Sequence, residues 1–210
     1  TPNGEGVGGE DDEYGFDDDL ETEELGDLEE LGEFFSDRAL QELTGAEDLN
    51  TVTFLEIKIN AEDITLRDLG ARLPNLAELK LNSSNIPSAR DLGTSFTRLT
   101  VLWLSRCGVG ELDGIAAFPC LRELYVAFNE VKDLSAVCAC EALEVLDLEG
   151  NCVGDIAEVF FLGSCGSLNS LMLEGNPVTA TSGYRRLVLE ALPGLKTLDD
   201  VDRDAPFDDD

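Results

Sequence analysis

The chain has 210 residues, and its hydrophobic content of 43% is sufficient for one domain with a sizeable core. Its formal net charge of −31 disfavours nucleic acid and anionic membranes as partners, because both are bound through basic surfaces. The absence of histidine removes Ser-His-Asp and Cys-His nucleophiles and most zinc sites. We therefore predict a protein that is not an enzyme, has no cofactor or metal, and binds another protein.

Residues 1–33 contain fifteen Asp or Glu and no Lys or Arg. A segment with this charge cannot bury enough apolar area to fold alone, so we predict a disordered acidic tail. The alternative is an acidic amphipathic peptide, containing Tyr14 and Phe16, that docks on a basic partner.

Residues 34–50 are predicted to form an N-terminal helical cap. Ser36 is a good N-cap residue, and Gly45 can end a helix that runs through Leu43. Phe34, Phe35, Leu40 and Leu43 could then cover the open edge of the segment that follows.

Residues 51–183 contain a repeated pattern. The pattern LxxLxLxxNxVxxLxxV begins at Leu121 and again 22 residues later at Leu143. Looser copies begin at Val52, Leu76, Leu99 and Leu168, which gives about six units of 22–25 residues. This period, with Asn at the ninth position, is typical of leucine-rich repeats. The predicted fold is therefore an α/β leucine-rich repeat solenoid with a parallel concave sheet and helical caps at both ends.

The ninth position of each repeat is predicted to hold a buried side chain whose amide satisfies backbone groups at the turn. The predicted structural asparagine ladder consists of Asn60, Asn129, Asn151 and Asn176. Ser84 and Cys107 stand at the same position as weaker substitutes.

The residues between the inward-pointing leucines are predicted to line the concave sheet, because side chains alternate along a strand. Trp103, Tyr125 and Phe128 form its aromatic centre, with Arg106 and Arg122 beside them, a composition typical of interface hot spots. Two alternatives are that the chain's own helix or acidic tail covers these residues, or that Phe128 enters the core. The predicted protein-binding face comprises Phe54, Lys80, Trp103, Arg106, Arg122, Tyr125, Phe128, Asp147 and Met172.

Residues 184–200 read as YRxxV followed by LPxLxxLD. This pattern resembles the C-terminal cap of the short intracellular leucine-rich repeats found in splicing proteins and acidic nuclear proteins. We expect a helix that covers the last repeat, then one more strand turn from Leu195 to Leu198. Residues 201–210 are predicted to be a disordered acidic tail.

Six cysteines are scattered through the repeats without a CxxC pair, which favours reduced thiols in an intracellular protein. No signal peptide and no apolar run long enough to cross a membrane is visible. We therefore predict an intracellular protein.

Two short segments carry a more specific resemblance. DLGTS at residues 91–95, followed by VLWLSRCG at 101–108, is similar to the leucine-rich repeat-containing protein 56 family, and the resemblance covers about residues 46–199. It implies a non-enzymatic scaffold or adaptor of motile cilia and flagella. Such a protein would act in the cytoplasm and along the axoneme, helping outer dynein arms to assemble or travel. The implied partners are dynein arm or intraflagellar transport components.

Two alternative functions come from other classes. A phosphatase-1 regulatory subunit of the same repeat class would use an aromatic and acidic concave face to control an enzyme. A histone-chaperone-like acidic repeat protein would instead bind basic histones through its carboxylate-rich tail.

Overall fold

A computed structural model of the chain describes residues 35–206. The predicted tail over residues 1–33, together with Phe34 and residues 207–210, lies outside the described part. The strands are β1 (Phe54–Glu56), β2 (Glu78–Lys80), β3 (Val101–Trp103), β4 (Glu123–Tyr125), β5 (Val145–Asp147), β6 (Ser170–Met172), β7 (Thr197–Leu198) and β8 (Val201–Asp202).

The eight strands form one sheet in chain order, and neighbouring strands from β1 to β7 are parallel. The middle leucine of each three-residue strand pairs with the middle leucine of the next, as Leu102 does with Leu124. These leucines are almost completely buried, whereas the residues on either side of them point to the opposite face. The predicted leucine-rich repeat solenoid with a parallel sheet is confirmed.

Short helical segments connect the strands on the convex side. The α-helices are α1 (Asp37–Thr44), α2 (Leu69–Arg72), α3 (Ile156–Phe161) and α4 (Tyr184–Ala191). The 3-10 segments are Leu49–Thr51, Ala89–Leu92, Ile115–Ala117, Ser135–Ala139, Leu162–Ser164 and Pro177–Ala180. One continuous apolar core lies between the sheet and these connections. Burial of each large aliphatic side chain contributes roughly 1.5–3 kcal/mol before chain entropy is subtracted.

Helix α1 covers the N-terminal end of this core. The Ser36 hydroxyl accepts a hydrogen bond from the backbone N–H of Ala39 at 3.2 Å, and Gly45 ends the helix with φ of +69°. Phe35 and Leu40 are buried, in line with the expected cap. Leu43 differs from the expectation, because its side chain is 51% exposed and does not cover the first repeat.

Helix α4 covers the other end and places β7 beside β6. The Tyr184 hydroxyl donates a hydrogen bond to Asp199 Oδ2 at 2.9 Å, while Asp199 Oδ1 accepts the backbone N–H of Leu173 at 2.7 Å. Asp199 therefore connects the cap helix to the last full repeat.

Strand β8 was not predicted. The acidic composition of residues 201–210 predicts a disordered tail, but Val201–Asp202 pairs antiparallel with β7. Asp199 and Asp200 both have positive φ, which suits the tight two-residue turn of a hairpin. The Arg203 guanidinium then donates hydrogen bonds to the carbonyls of Leu189 and Leu192 at 3.0 Å, where α4 ends. These contacts hold the start of the acidic segment against the cap.

Candidate protein-binding face

The turn after each strand is organised by the ninth residue of the repeat. The Asn151 amide donates to the carbonyls of Val126 at 2.9 Å and Leu148 at 3.0 Å, and its oxygen accepts the Val131 N–H at 3.0 Å. Asn129 and Asn176 are buried and make the same kinds of bond. Each of these three amides therefore joins its own repeat to the preceding repeat.

Ser84 and Cys107 take part in the same row with fewer bonds. The Ser84 hydroxyl accepts the Ile59 N–H at 3.0 Å, and the Cys107 thiol donates to the Leu81 carbonyl at 3.0 Å. Neither side chain has the two donors and the acceptor that an amide offers.

Asn60 does not form the predicted buried bonds. It is only half-buried, and its amide donates to Asp63 Oδ2 at 2.6 Å rather than to a backbone carbonyl. Its oxygen accepts from the Asn85 amide at 2.8 Å. The physical reason is its place in the first repeat, because the segment that precedes it is the cap and supplies no equivalent carbonyl.

At the centre of the concave sheet, Trp103 and Tyr125 are paired in register on β3 and β4. Their rings are stacked, with centroids 5.6 Å apart and planes inclined by 8°. Both side chains are half-buried. The pair therefore presents a preformed aromatic surface whose stacked order does not have to be created on binding.

Tyr125 has a carboxylate close on its own strand. Its hydroxyl donates to Glu123 Oε2 at 2.8 Å. Burial raises the pKa of Tyr125 to about 12, with further contributions from the Glu123 hydrogen bond and from the charges of Glu123 and Asp147. The phenol is therefore neutral at physiological pH and is positioned by Glu123.

Phe128 lies at the C-terminal edge of the same face. It is 43% exposed, so its ring does not enter the core. The guanidinium carbon of Arg106 lies 4.3 Å from the ring centroid, which is a cation–π contact. The ring also lies against Gly150, a contact that the leucine pattern alone does not indicate. Glycine at the eighth position of two successive repeats, Gly150 and Gly175, was the available signal.

The two predicted arginines do not lie on the same side of the aromatic pair. Arg122 precedes β4 and makes a salt bridge with Glu144, whereas Arg106 follows β3. Because the strands are parallel, the two arginines lie at opposite edges of the sheet, Arg122 where the strands begin and Arg106 where they end. The structure therefore brings Arg106, but not Arg122, against Phe128.

The remaining predicted residues extend the face in both directions. Lys80 lies beside Trp103 in register and makes a salt bridge of 2.8 Å with Glu56. Asp147 and Met172 are half-buried on β5 and β6, on the other side of Tyr125. Phe54 lies on the first strand and is 48% exposed.

Within residues 35–206, no group of three or more Cys, Asp or Glu side chains is arranged to hold a metal ion. None of the helices in this part of the chain is long and apolar enough to cross a membrane.

Comparisons with known proteins agree with this architecture. The family model for leucine-rich repeats matches residues 75–202. Human leucine-rich repeat-containing protein 56 is 45% identical over 181 residues, which cover 80% of this chain and 33% of that protein. Dynein axonemal assembly factor 11 of Trypanosoma brucei brucei is 35% identical over 127 residues, covering 60% of this chain and 33% of that protein. The chain thus spans about a third of the length of these relatives.

A solved structure, the Drosophila melanogaster SNF/U2A′ complex, contains a chain that is similar in fold. It is 25% identical to this chain with a TM-score of 0.56, and the match covers 60% of this chain and 73% of that one. The match to the family model extends over more than half of the residues. The chain therefore belongs to the leucine-rich repeat family, and within it is similar to leucine-rich repeat-containing protein 56.

Proposed function

We propose that this chain is a non-enzymatic protein-binding scaffold that supports the assembly or transport of outer dynein arms in cilia or flagella. It would act in the cytoplasm and along the axoneme. Its concave face, with the Trp103–Tyr125 stack at the centre, would bind a dynein arm or intraflagellar transport component.

One observation carries the binding part of this proposal. The Trp103–Tyr125 pair is only half-buried, although two large aromatic side chains would contribute several kcal/mol if they were fully enclosed. Exposed aromatic side chains at the centre of a sheet face are typical of interaction sites. The assignment to dynein arms is supported by the similarity to dynein axonemal assembly factor 11 and to leucine-rich repeat-containing protein 56.

The proposal can be tested by co-precipitation from a ciliated cell that expresses the tagged full chain. Outer dynein arm and intraflagellar transport proteins are detected in the captured material by immunoblotting. We expect Trp103→Ala combined with Tyr125→Ala to abolish their capture. The variant should remain folded with a cooperative thermal transition, because neither ring belongs to the buried core.

The chain offers a matched control for the loss of two aromatic rings. Phe160 and Phe161 are 54% and 43% exposed on α3, on the convex side. Replacing both by alanine should leave capture intact. Unchanged capture by the Trp103 and Tyr125 variant would refute the concave binding face, and absence of dynein arm proteins from all samples would refute the proposed role.

A further inference from the structure

The acidic half of the concave face lacks compensating positive charge. The last three repeats begin at Leu121, Leu143 and Leu168. Their concave positions carry four carboxylates and no Lys or Arg; the carboxylates are Glu123, Asp147, Glu149 and Glu174. Within residues 35–206 none of these four carboxylates makes a salt bridge. At the other end of the face, by contrast, Lys80 is paired with Glu56 at 2.8 Å. On that half of the face Glu56 and Glu78 are balanced by Lys58, Lys80 and Arg106, so the uncompensated negative charge is concentrated on the side that begins at β4.

The stacking geometry determines which face of Tyr125 is available. Trp103 and Tyr125 are neighbours across β3 and β4, and their nearly parallel planes turn one face of each ring toward the other. The second face of Tyr125 is thus turned toward β5, where Asp147 is its partner in register. An aspartate side chain is shorter than a tyrosine side chain, so the outer part of the ring extends beyond the carboxylate.

We infer that the outer part of the Tyr125 ring, above Asp147, binds an arginine side chain of the partner protein, with the guanidinium stacked on the tyrosine ring and hydrogen-bonded to the aspartate. This inference rests on the proposed function of the concave face. A guanidinium is planar, stacks on aromatic rings and donates two parallel hydrogen bonds to a carboxylate. Lysine offers a point charge without that planar geometry, and a neutral side chain would leave the carboxylates uncompensated.

The chain itself contains one guanidinium stacked on an aromatic ring of this face, although without a carboxylate partner. Arg106 places its guanidinium carbon 4.3 Å from the centre of the Phe128 ring on the same face. The proximity of Asp147 to Tyr125 is also reflected in the pKa of the tyrosine, which the charge of Asp147 helps to raise. A cation bound next to both side chains would offset the negative charge of Asp147.

The first test uses the fluorescence of Trp103, which is the only tryptophan in the chain. The full chain is titrated with the acetylated, amidated peptide Arg-Gly-Arg-Gly-Arg and with matched peptides in which lysine or neutral citrulline replaces arginine. We expect a saturable change with the arginine peptide, binding several-fold weaker with lysine, and no saturable change with citrulline. Equal binding of the citrulline or lysine peptide would overturn the inference.

Asp147→Asn is the decisive variant. Asp147 Oδ1 accepts the backbone N–H of Glu149 at 3.0 Å, and asparagine keeps this oxygen, so the fold should be retained. We expect its affinity for the arginine peptide to fall about tenfold, as for loss of one charge-assisted hydrogen bond. Glu62→Gln removes the same charge from an exposed turn outside the concave face and should change the affinity less than about twofold. Equal effects of the two variants would mean that only overall charge is recognised.

The same variants separate this inference from the proposed function. If Asp147→Asn captures dynein arm proteins as well as the wild-type chain, while the Trp103 and Tyr125 variant does not, the arginine site is refuted and the binding face is retained. If the arginine peptide binds as expected but no dynein arm protein is captured, the proposed role is refuted and the arginine site is retained.

Discussion

Phe128 lies directly against Gly150: a β-carbon built on Gly150 would lie 2.6 Å from Cδ1 of the phenylalanine ring. The two residues stand at the same position of adjacent repeats, and both have positive φ, +57° and +63°. On the preceding repeat, Arg106 at φ +59° places its guanidinium over the same ring. A glycine, a phenylalanine and an arginine from three successive repeats thus form one stack along the edge of the concave sheet.

This stack predicts that Gly150→Ala destabilises the chain and moves Phe128. The methyl group cannot fit beside the ring, and alanine is disfavoured at positive φ, which together should cost about 1–2 kcal/mol of unfolding free energy. Urea unfolding measures this loss. Gly154→Ala is the control, because a β-carbon there has no neighbour within 4 Å, and it should change the stability by about 0.5 kcal/mol or less. Equal stability of the two variants would contradict the packing of Phe128 on Gly150.

The asparagine ladder predicts a large difference between Asn151→Ala and Asn60→Ala. Removing the Asn151 amide leaves the Val131 N–H without its acceptor inside the core, and the Val126 carbonyl keeps only the bond from the Asn129 amide. Each buried group left unsatisfied costs about 1–3 kcal/mol. Asn60 bonds to exposed side chains, so its loss should cost about 1 kcal/mol or less.

The comparison is made by urea unfolding of both variants under one set of conditions. Asn129→Ala serves as a second ladder variant, since Asn129 makes equivalent bonds to Leu104 and Cys107. It should resemble Asn151→Ala. If Asn60→Ala were as destabilising as either ladder variant, the distinction between the first repeat and the inner repeats would be wrong.

The repeat period was sufficient to predict the solenoid, because leucines at fixed offsets can all be buried only when successive units stack. It also predicted the neighbouring positions of Trp103 and Tyr125, since residues at the same repeat position become neighbours in register. The pattern could not predict the hydrogen bonds of Asn60, because they depend on the segment that precedes the first repeat. Nor did it indicate β8, which depends on the turn at Asp199 and on contacts of Arg203 that do not follow the period.

The burial of the cysteines predicts an order of alkylation in the folded chain. Cys120 and Cys152 are exposed, whereas Cys107, Cys140 and Cys165 are buried. Burial also raises the pKa of Cys140 to about 12 and of Cys165 to about 11, which lowers the fraction of reactive thiolate. Timed treatment with iodoacetamide, followed by peptide mass spectrometry, should find the two exposed cysteines modified first.

A denatured sample provides the control for that experiment, because all six thiols should then react at similar rates. Early modification of Cys140 or Cys165 in the folded chain would contradict the placement of these residues behind the sheet. The same measurement on Asn151→Ala should show faster modification of the buried thiols, since a less stable chain opens more often.

Tyr125 predicts a specific loss of stability at alkaline pH. Burial raises its pKa from 10.0 to about 12 in the folded chain, so the neutral phenol is favoured by folding. This contribution to the unfolding free energy is fully present below pH 10.0 and is lost as the pH rises toward about 12, because the unfolded chain releases the proton first. Tyr125→Phe cannot ionise, and its unfolding free energy should decline less steeply than that of the wild-type chain across this window. Urea unfolding at successive pH values gives both profiles, and parallel profiles would show that Tyr125 is not shielded beside Glu123 and Asp147.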